Sequence, residues 1–265
     1  MRPAAGGGVW VTVAPERLER WCAGFARRHG EYAASAGSAS DPAGAEPALV
    51  LAAADGATAE CFAPFGAPSA PPPTAPRAPS QNSDSTRDLV AALAEHANAP
   101  RTVGIVLVRR GGFAIGLVEG GRLTGRKVGS RHVQGKTKAG GWSQQRFARR
   151  REGQARVAFE AAAYAVALIL LPRAADLDEI AAGGDADGLK ALRADPRLAA
   201  VWAKAGPNGP ALTVNGDPRA ADLEAAWQQA RSVRIRLLEP DSGPGSGSNS
   251  GPDSGSAPEP ATAAG

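Results

Sequence analysis

Residues 135–154 read GKTKAGGWSQQRFARRREGQ: two adjacent glycines and two adjacent glutamines within a dense run of cations. Gly140 and Gly141 lack a Cβ, so the backbone there can take positive φ and approach a ligand closely. Gln144 and Gln145 do not act as bases near neutral pH. A glutamine carbonyl can still accept a hydrogen bond from water and orient it, while nearby backbone N–H groups stabilise an oxyanion. That chemistry suits attack on an ester held in place by other contacts. A blander role, in which the glutamines begin a helix or bond phosphate, fits the same residues equally well. Nucleotide-triphosphate binding is not supported. Gly135-Lys136-Thr137 supplies a GKT, but Ser130 stands where GxxxxGK[ST] needs glycine. No DxDxE-like set of carboxylates adjoins the loop, so metal-dependent nuclease chemistry has no visible ligands.

The charge around this loop is concentrated. The 265-residue chain has a net charge of only +4, with a pI near 9.4. Residues 101–156 hold 14 Arg and Lys against Glu119 and Glu152, which makes that segment about +12 and leaves about −8 for the remainder. A basic patch in acidic surroundings is the usual footprint of nucleic-acid binding. A solvated helix face is the alternative, but ARRREGQAR lacks the alternating acids that balance such a face. Its cations also crowd the start of a helix, where the backbone dipole disfavours positive charge. Phosphates would offset that cost.

The elements that must position the loop follow from periodicity. VWVTV (9–13) reads as a strand. A helix follows, opened by Pro15 and Glu16, with Leu18, Trp21, Cys22 and Phe25 on one face and Gly30 at its end. Residues 31–47 read as a loop, and 48–65 as a hairpin turning at Asp55-Gly56. The Pro- and Ser-rich stretch 64–85 predicts a disordered insertion. A helix is expected over 87–97, capped by Ser85 or Thr86. Segments 102–110, 112–120 and 122–133 predict an antiparallel meander with turns at Gly111 and Gly120-Gly121. A long helix is expected over 144–171, its buried stripe formed by Phe147, Ala155, Ala158, Phe159, Ala162, Val166 and Leu170.

Downstream, 177–184 reads as a strand, 186–194 as a helix and 198–203 as another strand or an extended piece. A helix at 219–231 then precedes a strand at 232–239. The tail, 240–265, is too rich in Gly, Ser and Pro to bury a core. The fold class is α/β or α+β, a mixed sheet with a meander and flanking helices. The expected division is 1–63 as the N-terminal part of the core domain, the insertion 64–85, a catalytic core over 86–239, and the tail.

Within this frame GGWSQQRFARRRE resembles the glycine–glutamine loop and following helix of the eukaryotic-type peptide-chain release factors, whose pattern is GGQ followed by a helix bearing RFAR. Gly140-Gly141 and Arg146-Phe147-Ala148-Arg149 match it, but Trp142 stands in the place of the glutamine. The shifted pattern GxxQ, Gly141-Trp142-Ser143-Gln144, is similar to that of the Vms-like release factors, peptidyl-tRNA-cleaving proteins of ribosome quality control. Their branch from actinobacteria and chloroflexi is the best match. PERLERWCAGFARRHG and the stretch 101–239 are similar to that branch as well.

The resemblance implies the fold of the release factors' middle domain, a mixed sheet resembling ribonuclease H. It implies release of a nascent chain from tRNA on stalled large ribosomal subunits, with no cofactor and no metal. Gln144 would position water, and Gly140 and Gly141 would admit the loop to the peptidyl-transferase region. Lys136, Lys138, Arg146, Arg149 and Arg150 would contact rRNA or the tRNA acceptor end. Trp142 either stacks on a base, worth about 1–3 kcal/mol, or packs on the helix. His132 reads as structural rather than catalytic. Two other outcomes fit: metal-independent cleavage of tRNA near its CCA end, and RNA or ribosome binding without catalysis.

Cys22 and Cys61 form no CxxC or Cys/His cluster and read as small buried hydrophobes. The N-terminus has no signal-peptide core, and the most apolar run, AAAYAVALILL, is too short to span a bilayer. A soluble, cytoplasmic monomer without a membrane partner is expected.

Overall fold

The structure, a computed structural model, describes residues 2–4, 7–37, 47–66, 83–130, 143–206 and 211–240. The expected tail beyond Pro240 and most of the expected insertion lie outside the described residues. The chain forms two sheets rather than one. The first comprises β1 (Arg2–Pro3), β2 (Val9–Val13), β3 (Tyr32–Ala36), β4 (Leu49–Ala53), β5 (Thr58–Phe62) and β11 (Val233–Leu238). Its order is β1-β2-β11-β5-β4-β3, antiparallel throughout. The strand nearest the C-terminus therefore sits among those from the N-terminus.

Helix α1 (Leu18–His29) follows a 3-10 turn opened by Pro15. Leu18, Cys22 and Phe25 are buried, and Gly30, at φ 83°, ends it. They pack with Val90, Leu93 and Ala97 of α2 (Ser83–Asn98) over Leu51, Cys61 and Ile235 of the sheet. The hairpin of β4 and β5 turns at Gly56, whose φ of 93° glycine supplies without strain.

Three details correct the sequence reading. A strand, β3, stands where a loop was expected: YAASA is mostly alanine and has little strand propensity, but the edge of β4 gives its backbone partners. Helix α2 begins at Ser83 rather than 87, so Thr86 lies inside it. Its hydroxyl accepts the Ala34 N–H at 3.3 Å, tying helix to strand instead of capping. The segment 198–203 is helical, not extended. Asp195 accepts the Arg197 N–H at 3.0 Å to start a 3-10 turn, and α5 (Ala199–Trp202) continues from it.

The second sheet comprises β6 (Thr102–Arg109), β7 (Gly112–Glu119), β8 (Arg122–Ser130), β9 (Glu179–Gly184) and β10 (Ala211–Leu212), in the order β10-β9-β6-β7-β8. β6, β7 and β8 are the expected antiparallel meander; β9 and β10 add parallel pairings, so the sheet is mixed. β6 and β7 are almost wholly buried because both faces are covered. Helix α3 (Ser143–Ile169) lays Ala162, Ala163, Val166 and the following Leu170 against Val106, Val108, Ile115 and Leu117. Helix α6 (Ala220–Arg231) lays Leu223, Ala226 and Trp227 against Ile105, Leu107 and Val118. Helix α4 (Ala186–Arg193) packs beside α3.

By length and composition Ala155–Arg173 could cross a bilayer. Its alanine-rich face is instead packed on the meander, as a core helix requires. The two halves of the molecule are linked by Arg231, which bonds both Glu16 and Asn98.

Candidate catalytic loop and nucleic-acid interface

The glycine–glutamine segment leaves the second sheet at Ser130, which pairs with Gly112 beside the β6–β7 turn. β8 is an edge strand, and Arg122, Arg126, Lys127 and Val128 along it are exposed. Charged side chains on an edge discourage pairing with another sheet. The cations of this region do not all have the same surroundings. Arg109 approaches Asp185 at 3.5 Å and Arg110 approaches Asp187 at 3.1 Å. Arg156 lies 3.8 Å from Glu160. Arg101 donates to the carbonyls of His96 and Ala99 at 2.7 and 3.2 Å and lies over the Phe65 ring. Among the described residues, Arg122, Arg126 and Lys127 have no ion-pair partner. Folding thus brings acids from 185–187 to the β6–β7 turn and leaves the positive charge on β8.

The other support of the loop is α3. A Cβ at Gly104 would meet Leu170, and one at Gly188 would meet both Phe159 and Val108. Leu170 is therefore level with the start of β6 and Phe159 with its end, so α3 runs antiparallel to β6 and has reached the sheet's edge by residue 158. The preceding fifteen residues, 143–157, are also helical and add about 22 Å of length. Gly153 is exposed, and a Cβ added there would meet nothing within 4 Å; Arg156 is exposed too. This part of α3 is an arm that leaves the body at the same end as Ser130. Twelve residues connect Ser130 to Ser143; a chain of that length reaches at most about 40 Å, ample for the span.

Helix α3 starts at Ser143, so the backbones of Gln144 and Gln145 lie in its first turn, rotated from each other by about 100°. The first N–H groups of a helix have no intrahelical acceptor. They offer donors to an oxyanion or a phosphate beside the glutamines. The first turn holds no acid, and Arg146, Arg149 and Arg150 follow it on the helical backbone. Gly140, Gly141, Trp142, Lys136, Lys138 and His132 lie outside the described residues. Sequence reading missed Arg122, Arg126 and Lys127 as candidate contacts. The alternation of Arg122 and Arg126 with Leu123 and Gly125 on a predicted strand next to the loop, with Lys127 adjoining, was the signal available.

Among the described residues no group of three or more His, Cys, Asp or Glu side chains could hold a metal ion. Three acids lie around the β6–β7 turn: Asp185 accepts the Arg110 N–H at 2.8 Å, Asp187 pairs with the Arg110 side chain, and the Asp217 carboxylate lies against Gly111. Both cysteines are buried and free, and burial pushes the Cys22 thiol up to about 11, which leaves it unreactive near neutral pH.

A family model described as Actinobacteria/chloroflexi VLRF1 release factor matches residues 101–236, just over half of the chain. No curated protein matches. Among solved structures, the crystal structure of the archaeal translation termination factor aRF1 aligns with 16% identity and a TM-score of 0.34, covering 84% of this chain and 66% of that one. A structure named only as an archaeal protein aligns with 17% identity and a TM-score of 0.32, covering 68% of this chain and 52% of that one. The chain thus spans less than two thirds of the length of these structures.

Proposed function

We infer the function of this chain from the family to which it belongs, the Actinobacteria/chloroflexi VLRF1 release factors. Its mixed sheet, meander and flanking helices have the architecture of a release-factor middle domain. The chain is a peptidyl-tRNA hydrolase of release-factor type. Its substrate is the ester joining a nascent polypeptide to tRNA on a stalled large ribosomal subunit. The observation that carries this reading is the arm. Gln144 lies on the first turn of a helix that runs about 22 Å beyond the sheet, and the strand leading to the loop is lined with exposed cations that have no ion-pair partner among the described residues.

Such an arm can enter a narrow passage walled by RNA while the body stays outside. Arg122, Arg126 and Lys127 of β8, with Lys136, Lys138, Arg146, Arg149 and Arg150, meet phosphates of rRNA and of the tRNA acceptor end. That pairing offsets the cost of cations at the positive end of α3. Gly140 and Gly141 let the backbone come close to the acceptor end, and Trp142 supplies a ring for stacking. The Gln144 carbonyl accepts a hydrogen bond from water and aims it at the ester carbonyl carbon. Free N–H groups of the first helical turn stabilise the oxyanion that forms.

Purified protein mixed with peptidyl-tRNA on large subunits is expected to free the peptide. The Gln144→Ala variant is expected to lose that activity, and normal release by it would contradict the assignment. The freed peptide should end in a bare carboxylate; an adenosine left on it would mean cleavage of the RNA instead.

A further inference from the structure

The first sheet has one face packed under α1 and α2 and one face that the hydrolytic arm does not use. Alternation along β2, β5 and β11 sends Val11, Cys61 and Ile235 into the core. It sends Trp10, Thr12, Glu60, Phe62, Arg234 and Arg236 to the other face. In register, Arg234 stands between Thr12 and Phe62, and Arg236 between Trp10 and Glu60. Glu60 is engaged by Arg236 at 2.6 and 2.9 Å. It is the sole acid among the outward positions of these three strands.

The Trp10 and Phe62 rings pack with centroids 5.2 Å apart, and the Arg234 guanidinium lies over both, 5.2 and 5.8 Å from their centroids. Thr12 and Arg234 are exposed, as is Arg2, which pairs with Trp10 from β1. Arg2 and Arg234 have no ion-pair partner among the described residues. Cation–π contact with two rings holds a guanidinium in a fixed place, so this face offers an aromatic ring beside a positioned positive charge.

We propose that this face is a second RNA-binding surface, on which a base of single-stranded RNA stacks against Trp10 while Arg234 and Arg2 meet the flanking phosphates. Phe62, Glu60 and Arg236 of this face are buried, whereas Trp10 is partly exposed and Thr12 and Arg234 are exposed; one accessible ring flanked by cations suits an unpaired base, whose face every nucleotide exposes. An acidic peptide would need the guanidinium groups but would gain nothing specific from the ring. This surface lies on a different sheet from the arm and its binding does not depend on ester hydrolysis.

The test is fluorescence anisotropy of the full chain with a labelled short oligouridylate and with an abasic oligonucleotide of equal length and charge. The parent is expected to bind the base-bearing strand about tenfold more tightly. Arg234→Glu and Thr12→Glu, both surface substitutions, should each remove most of that preference, with circular dichroism unchanged. Arg126→Glu on β8 should weaken both strands equally and leave the preference intact. Equal binding of the two strands by the parent, or a preference that survives both sheet substitutions, would overturn the proposal. So would displacement of the oligouridylate by poly-glutamate as readily as by unlabelled RNA.

Discussion

At the scale of single residues, charge left exposed on β8 differs from charge that braces a turn. Arg109 and Arg110 are matched by Asp185 and Asp187 and hold a turn; Arg126 and Lys127 face solvent. Replacing both with glutamate should weaken ribosome or RNA binding and flatten the plot of log affinity against log salt by about one unit per lost phosphate contact. An unchanged slope would remove β8 from the interface. The sequence marked the whole segment as basic, but could not tell these groups apart, because the neutralising acids lie some 75 residues away.

His96 gives a pH dependence. Burial, and to a lesser extent the Arg101 charge, hold its pKa below the ordinary histidine value, against a hydrogen bond from Nε2 to the Pro64 carbonyl at 3.1 Å that favours the proton. Below about pH 6.5 the unfolded chain takes up a proton that the folded chain resists. Stability from this residue is therefore full above that pH and declines as pH falls toward the lowered folded value. Thermal midpoints taken between about pH 7.5 and 5.5 should fall less in His96→Gln than in the parent.

At the scale of elements, α3 has two parts. Its second half is a core helix, and its apolar spacing was plain in the sequence: Ala158, Ala162, Val166 and Leu170 are all buried. Its first half is polar in sequence and runs beyond the sheet, a separation visible only once Phe159 is placed against Gly188 at the sheet's end. Gly153 sits in the projecting part with open space around it. Gly153→Ala should stabilise the helix by about 0.5–1 kcal/mol and preserve release. Gly153→Pro should break the arm, at about 3 kcal/mol or more for the helix, and abolish release while the thermal transition of the body persists. Retained activity in the proline variant would mean that a rigid arm is not needed. Elements set by partners rather than by their own pattern escaped the sequence reading. β3 is an example, since its small side chains carry almost no strand signal and Leu49–Ala53 supply its pairing.

At the scale of the whole molecule, β11 closes on strands from the N-terminal part of the chain. β11 lies between β2 and β5, and the Glu60–Arg236 pair is buried at that seam, with side chains 10% and 9% exposed. Glu60→Ala leaves a buried guanidinium without its carboxylate and should cost about 3–5 kcal/mol in urea unfolding. Replacing both residues by methionine should recover much of that loss; a cost for Glu60→Ala well under about 1 kcal/mol would mean that the pair is effectively solvated. This closure was not legible from local pattern, because SVRIRLLE reads as a strand without naming its neighbours. What the residues did announce was the coincidence of glycines, glutamines and cations at one loop. Single-turnover release from peptidyl-tRNA bound to large subunits tests that coincidence most directly, with Gln144→Ala and Gln145→Ala beside the parent and the mass of the freed peptide as readout. Loss of release in Gln144→Ala alone, with the parent's peptide ending in a free carboxylate, is the predicted result. Undiminished release by Gln144→Ala, or a peptide still carrying adenosine, would contradict a water-positioning carboxamide at the end of this arm.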